Sequence, residues 1–245
     1  MKAAARAANV GNKMISCVAV LVILLLLLYG GYSLWDTAIL FRKGFADEKL
    51  LKFKPTDGAG ANPTLTELKQ INPDVCGWIT VDDTNIDHPV VQGKTNMEYI
   101  NKDVYGEFSF AGSIFLDYRN KADFSDPYSL LYGHHMAQGA MFGDVGKFAE
   151  KEFFEKHKAG TLFLPDSTYR ITLFACVETN ASDMTIFNPE IQKQSSMSTF
   201  LEYIQSKAVQ YRNIEITEKD FLIGLSTCDT VETNGRTIVF GRLEK

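Results

Sequence analysis

LSTCDTVETNGRTIVFGRL, residues 225–243, joins an apolar run that ends in a cysteine to a second apolar run that starts with an arginine. If FLIGLST (221–227) and RTIVFGRL (236–243) are neighbouring antiparallel strands, Cys228 closes one and Arg236 opens the next. Asn234-Gly235 supplies turn chemistry just before the arginine. Neighbouring strands lie about 4.8 Å apart, so such a hairpin carries thiol and guanidinium to one rim of a sheet. A free cysteine, with a pKa of about 8.5, is mostly protonated at neutral pH, and a fixed positive charge favours the nucleophilic thiolate. The same guanidinium can donate to an oxyanion as charge develops on an attacked carbonyl.

The same β pattern runs back through the chain. GWITV (77–81), DHPVVQG (87–93), GSIFLDYR (112–119), YSLLYGHH (128–135), GTLFL (160–164) and YRITLFACVE (169–178) are rich in β-branched and aromatic residues and punctuated by Gly, Asp, Asn and Pro. Short helices are expected within residues 143–157, and a longer one over Ser195–Tyr211, where Phe200, Ile204, Ala208 and Tyr211 keep helical spacing. Thr64-x-x-Glu67 reads as a capping box for a short helix that NPDV ends. The fold class is therefore mostly β with peripheral helices, a largely antiparallel closed or half-closed barrel of about eight short strands.

A nucleophile of this kind needs a proton shuttle, and the chain has four histidines. His88, beside Pro89, and His157, at a Lys/Glu-rich helix end, read as surface residues. His134 and His135 differ, because an apolar strand runs through Gly133 into them where strand becomes loop, the usual place for reactive side chains on a rigid sheet. Adjacent residues on an extended chain point to opposite faces, so one of the two serves the thiol. Asp82 and Asp83 read as a hairpin turn rather than a calcium site, and with no phosphate loop or metal cluster in the sequence no cofactor is expected.

The amino end has another character. Residues 1–13 carry Lys2, Arg6 and Lys13 with no acid, and Met14–Trp35 is an uncharged run of 22 residues. At about 1.5 Å per residue it reaches roughly 33 Å as a helix, enough to cross a bilayer core. A buried core helix would show a polar face, which this run lacks, and Gly31-Tyr32-Ser33 makes a poor signal-peptidase site. An uncleaved anchor follows, its basic flank cytoplasmic and the bulk of the chain outside. Residues 36–63 read as a juxtamembrane helix and linker, and 64–245 as the extracellular catalytic domain. Residues 64–245 hold 17 Lys/Arg against 26 Asp/Glu, which argues against a nucleic-acid partner. Of the four cysteines, Cys17 lies in the span, while Cys76 and Cys176 sit in apolar strands as small buried hydrophobes. Export permits a bridge between those two.

At LYGHHM (131–136) with MFGDV (141–145) after it, at LSTC followed by an arginine, and at INPDVCGWITV (71–81) and AGSIFLDYRN (111–120), the chain resembles the sortases, membrane-anchored cysteine transpeptidases of Gram-positive bacteria, and class B in particular. The resemblance covers residues 65–245. It implies an eight-stranded sortase-type β-barrel behind an N-terminal transmembrane helix, with His134 as catalytic histidine, Cys228 as nucleophile and Arg236 as catalytic arginine. It also implies Ser226 and Asn96 as substrate-groove residues, sorting-motif-bearing secreted proteins as substrates and a peptidoglycan-precursor amine as acceptor. The usual Thr-Leu-x-Thr-Cys reads Gly224-Leu225-Ser226-Thr227-Cys228 here, which removes a local hydrogen-bonding group. Two rival readings are an envelope cysteine endopeptidase, in whose papain-like forms the cysteine precedes the histidine, and a non-catalytic extracellular binding domain.

Overall fold

The computed structural model describes residues 2–46, 48–56, 60–193, 195–228 and 234–245. The chain divides into two units, residues 1–40 and 41–245. The first is most of helix α1 (Lys2–Lys43), whose stretch Asn9–Ile39 is long and apolar enough to cross a membrane. Its apolar residues are exposed around the whole helix, the pattern of a segment made to face hydrocarbon.

The second unit is built on nine strands among the described residues: β1 (Val75–Val81), β2 (Asp87–Val91), β3 (Ile114–Leu116), β4 (Tyr128–Gly133), β5 (Ala159–Leu164), β6 (Ser167–Asn180), β7 (Ala208–Tyr211), β8 (Phe221–Cys228) and β9 (Gly235–Glu244). Eight of them pair in the closed order β5-β1-β2-β3-β4-β8-β9-β6 and back to β5. The expected eight-stranded barrel is therefore present, and closing it removes exposed strand edges. Pairing is antiparallel except for β2 with β3 and β4 with β8. Long β6 pairs with β9 along its length, with β5 through its first half and with β7 farther on. Thus β7 is a ninth strand added outside the ring.

Strand alternation splits the core. Leu131, Ile223, Leu225, Val239 and Leu243 enter the barrel interior with Ile79, Val90, Leu162 and Ile171. The intervening Tyr128, Leu130, Leu222, Ile238 and Phe240 pack outside it against Phe200 and Ile204 of helix α5 (Met197–Lys207). A third cluster joins Phe53, Leu65 and Leu68 to Trp78, Phe115 and Phe163.

Four sequence expectations are corrected. The helix expected to reach Tyr211 ends at Lys207, and Ala208–Tyr211 is strand β7, because open β6 backbone offers ladder bonds that outweigh the helical spacing of two residues. Helix α3 (Pro63–Ile71; α2 is Glu48–Leu51) starts two residues earlier in register than the Thr64 capping box requires. Asn62 stands at its N-cap with Pro63 at the first turn, and Asn62 Nδ2 donates to the Leu164 carbonyl at 2.7 Å, fastening α3 to the barrel. His157, expected at the surface, is buried as the C-cap of α4 (Lys151–Lys156), where Nδ1–H donates to the Phe153 carbonyl at 2.8 Å. His88 is also buried, because strand alternation on β2 turns it inward with Val90 while Asp87 binds the Trp78 indole at 2.7 Å.

Two consequences are measurable. Phe53 lies in the stretch read as a juxtamembrane helix, outside the expected catalytic domain, yet it is buried in the third cluster, so Phe53→Ala should cost about 3–5 kcal/mol in chemical denaturation. Burial pushes the His88 imidazole down to about 4, and Nε2 has no partner among the described residues. A depressed base binds its proton more readily in the unfolded chain. Stability should therefore be full above about pH 6.5 and fall by up to about 3 kcal/mol as pH drops towards 4. His88→Gln should flatten that part of the wild-type stability–pH curve.

Candidate active site

Strand register assembles the site. In the parallel β4–β8 pair Gly133 lies opposite Thr227, so the next residue of each strand, His134 and Cys228, leaves the sheet at the same level. In the antiparallel β8–β9 pair Cys228 lies directly opposite Arg236. Three adjacent backbones thus bring the three expected catalytic positions to one end of the barrel. Positions 222, 224, 226 and 228 share the outer face by the two-residue period of β8, as do 236, 238 and 240 on β9. Cys228 is described by its backbone, and the loop 229–233, including most of the expected turn before Asn234-Gly235, lies outside the described residues.

His134 is half-buried, and its Nε2–H donates to the Ile100 carbonyl at 2.8 Å. A carbonyl can only accept, so this bond fixes the neutral tautomer and leaves Nδ1 as the basic nitrogen. His135 is exposed and turns the other way, into a cavity of about 280 Å³ that it lines with Gln138, Lys147, Glu178 and Thr237. The two rings diverge as alternation requires. Arg236 Nη1 donates to the Gly235 carbonyl at 2.8 Å, which holds the guanidinium beside the start of its own strand.

The chain after His134 is a tight loop with a sequence-encoded shape. The Phe142 amide donates back to the His134 carbonyl at 3.1 Å, and Gln138, Gly139 and Met141 all have positive φ. A side chain at Gly139 would strike Asp144 Oδ1, and one at Gly143 would strike the Met136 carbonyl. Buried Asp144 accepts from the Asn85 amide at 2.8 Å and pairs with Lys147 at 2.9 Å, tying this loop to the β1–β2 turn. The Gly-Asp of MFGDV is thus a loop lock. From the other side the Met141 amide donates to the Gly44 carbonyl at 3.0 Å, so the chain just after α1 braces the same loop.

The two positions expected to line the groove differ. Ser226 is buried, with Oγ unpartnered among the described residues. Asn96 has both ends of its amide engaged: Oδ1 accepts from the Tyr118 amide at 3.0 Å and Nδ2 donates to Asp117 at 2.8 Å. Cys76 and Cys176 are buried thiols, and burial pushes Cys76 up to about 12, where it stays protonated and inert. Among the described residues no three His, Cys, Asp or Glu side chains gather as a metal site. A larger hollow of about 620 Å³ borders the β1–β2 turn, but its Lys54 and Arg170 are already paired with Asp87 and Asp82.

The sortase-domain family model matches residues 79–244. The chain belongs to the sortase family. Sortase B of Listeria monocytogenes is 35% identical over 181 residues, covering 73% of each chain. The crystal structure of Spy0129, a Streptococcus pyogenes class B sortase involved in pilus biogenesis, is 48% identical with a TM-score of 0.69, over 73% of this chain and 97% of that one. A Staphylococcus aureus sortase B–substrate complex is 33% identical with a TM-score of 0.67, over 76% and 86%. The chain is a class B sortase-type cysteine transpeptidase.

Within that family the Gly224 departure has a local cause. A Cβ there would lie 2.8 Å from the hydroxyl oxygen of Tyr128, a fully buried ring that donates to the Ile186 carbonyl at 3.2 Å. The space of a side chain at 224 is filled by tyrosine from β4. In AGSIFLDYRN the acid and base that flank a tyrosine at the end of an apolar strand, Asp117 and Arg119, are the visible signal of an ion pair that the strand pattern alone does not give. The divergence of the two histidines predicts that His134→Ala abolishes transpeptidase turnover while His135→Ala leaves measurable activity, read in parallel steady-state assays.

Proposed function

We propose that this sortase cleaves a sorting motif near the carboxyl end of secreted proteins after its threonine, and joins the new carboxyl to an amine of a cell-wall precursor. The Cys228 thiolate attacks the threonine carbonyl, giving a thioacyl-enzyme, and the peptide bond breaks as His134 delivers a proton to the leaving amine. The acceptor amine then loses a proton to His134 as it attacks the thioester, which expels the Cys228 thiolate and leaves His134 protonated for the next round. Arg236 steadies the oxyanion in both steps. Ser226, whose buried hydroxyl has no partner among the described residues, and Asn96 line the groove. The observation that carries this reading is the register that aligns Gly133 with Thr227 and Cys228 with Arg236.

In this reading residues 1–13 are cytoplasmic, 14–35 span the membrane once, 36–63 connect, and 64–245 act outside the cell. Three basic residues before the span and Asp36 after it support that direction. A second acceptor, the amine of a pilus subunit, is favoured by the 48% identity to a class B sortase involved in pilus biogenesis, against 35% to a relative named sortase B.

Incubating the protein with a sorting-peptide library, with and without acceptor amines, tests the reading by intact mass. An acyl adduct is expected on the wild type and none on Cys228→Ala, with hydrolysis giving way to amide product when the true amine is present. Arg236→Lys keeps the charge but loses the planar fork, so turnover should fall by about 10²-fold or more. Near-normal turnover in that variant would show that charge alone suffices.

A further inference from the structure

Asp117, at the end of β3, is a carboxylate with no solvent exposure. It takes five hydrogen bonds from three directions. Oδ1 accepts from the Arg119 amide at 3.0 Å and Arg119 Nε at 2.8 Å, while Oδ2 accepts from Arg119 Nη2 at 2.8 Å, Asn96 Nδ2 at 2.8 Å and the Tyr132 hydroxyl at 3.0 Å. Arg119 also donates on the opposite side, from Nη2 to the Phe187 carbonyl at 2.7 Å and from Nη1 to Asn188 at 3.5 Å. Phe187 also stacks on the Tyr132 ring, centroids 6.4 Å apart. Burial pushes the Asp117 carboxyl up, but the Arg119 bonds outweigh it, so the group is held ionised below its ordinary range.

Each partner belongs to a different part of the groove. Asn96 sits in the β2–β3 connection, which also supplies the Ile100 carbonyl to His134. Phe187 and Asn188 belong to the β6–β7 connection. Tyr132 is two residues before His134 on the same outer face of β4. One ion pair on a buried carboxylate thus fastens both connections to the strand that carries His134.

We propose that Asp117 and Arg119 are positioning residues that set the width of the sorting-peptide groove, holding the β2–β3 and β6–β7 connections at a fixed spacing across Tyr132. This rests on the reading of His134, Cys228 and Asn96 given above. A planar fork bonded on both sides is needed, because a lysine ammonium cannot span Asp117 and Phe187 with matched pairs of bonds. The pair touches no reacting atom, so its loss acts on peptide binding and alignment and leaves the reactivity of the thiol intact.

The test uses the full chain in detergent micelles, comparing Arg119→Lys with wild type in peptide turnover and in alkylation of Cys228 by iodoacetamide. The expected result is a KM for the sorting peptide raised about tenfold or more, with the alkylation rate within about twofold of wild type. Tyr132→Phe, which removes one bond to Asp117 and keeps the stacked ring, should raise KM in the same direction by less, and serves if Arg119→Lys does not fold. Wild-type KM in a folded Arg119→Lys or Tyr132→Phe chain overturns the proposal. Loss of alkylation in step with turnover also overturns it, since the defect would then be general. Absence of turnover by the wild type on every sorting peptide would instead sink the proposed function, whereas normal wild-type turnover with an unchanged variant KM would sink the clamp alone.

Discussion

The parallel pairing of β4 with β8 is the constraint on which the rest depends. Hairpins would pair each strand with its neighbour in sequence, yet β8 lies between β4, some 90 residues upstream, and β9. A parallel pair cannot be closed by a tight turn, so the chain from His134 to Asp220 must travel away from β4 and come back to start β8 in the same direction. The residues in between build β5, β6, helix α5 and β7, and so form the far side of the barrel and one wall of the proposed groove. Displacing β8 by one residue would exchange its inner and outer faces, burying Cys228's position and exposing Leu225. The apolar barrel interior therefore enforces the register that brings the three proposed catalytic positions together.

Polar groups complete what packing starts. Oily strands alone leave the outer ends of the barrel free to splay, and the structure ties them with buried carboxylates. Asp144 holds the loop after His134 to the β1–β2 turn, and Asp117 holds the two groove connections. An ionised group out of water is tolerated only when its lone pairs are filled, and filling them requires each partner segment to stand in one place. Glycine plays the complementary part at 139 and 143, where a Cβ has no room.

The segment after α1 is part of this construction. Gly44 supplies a carbonyl to Met141, and a Cβ there would lie 2.9 Å from that of Ala140. Phe53 fills the cluster over β1 and β5. The stretch read as a juxtamembrane helix thus lends the second unit both core and loop support.

Much of this was legible in the sequence. Eight of nine strands, the apolar span and the strand-end positions of a histidine, a cysteine and an arginine follow from local patterns, because a two-residue period, an uncharged run and a strand-end position are properties of neighbouring residues. Strand β7 was hidden by helical spacing, His88 and His157 by their polar type, and the task of Asp117 and Arg119 by distance along the chain, since Asn188 lies 69 residues beyond Arg119. The sequence by itself determined which residues could do acyl-transfer chemistry and which faces of each strand would be oily. Tertiary structure alone decided which strands became neighbours, which histidine ring met the Ile100 carbonyl and which carboxylates were sealed from water, because these depend on burial and on partners brought together only when the barrel closes.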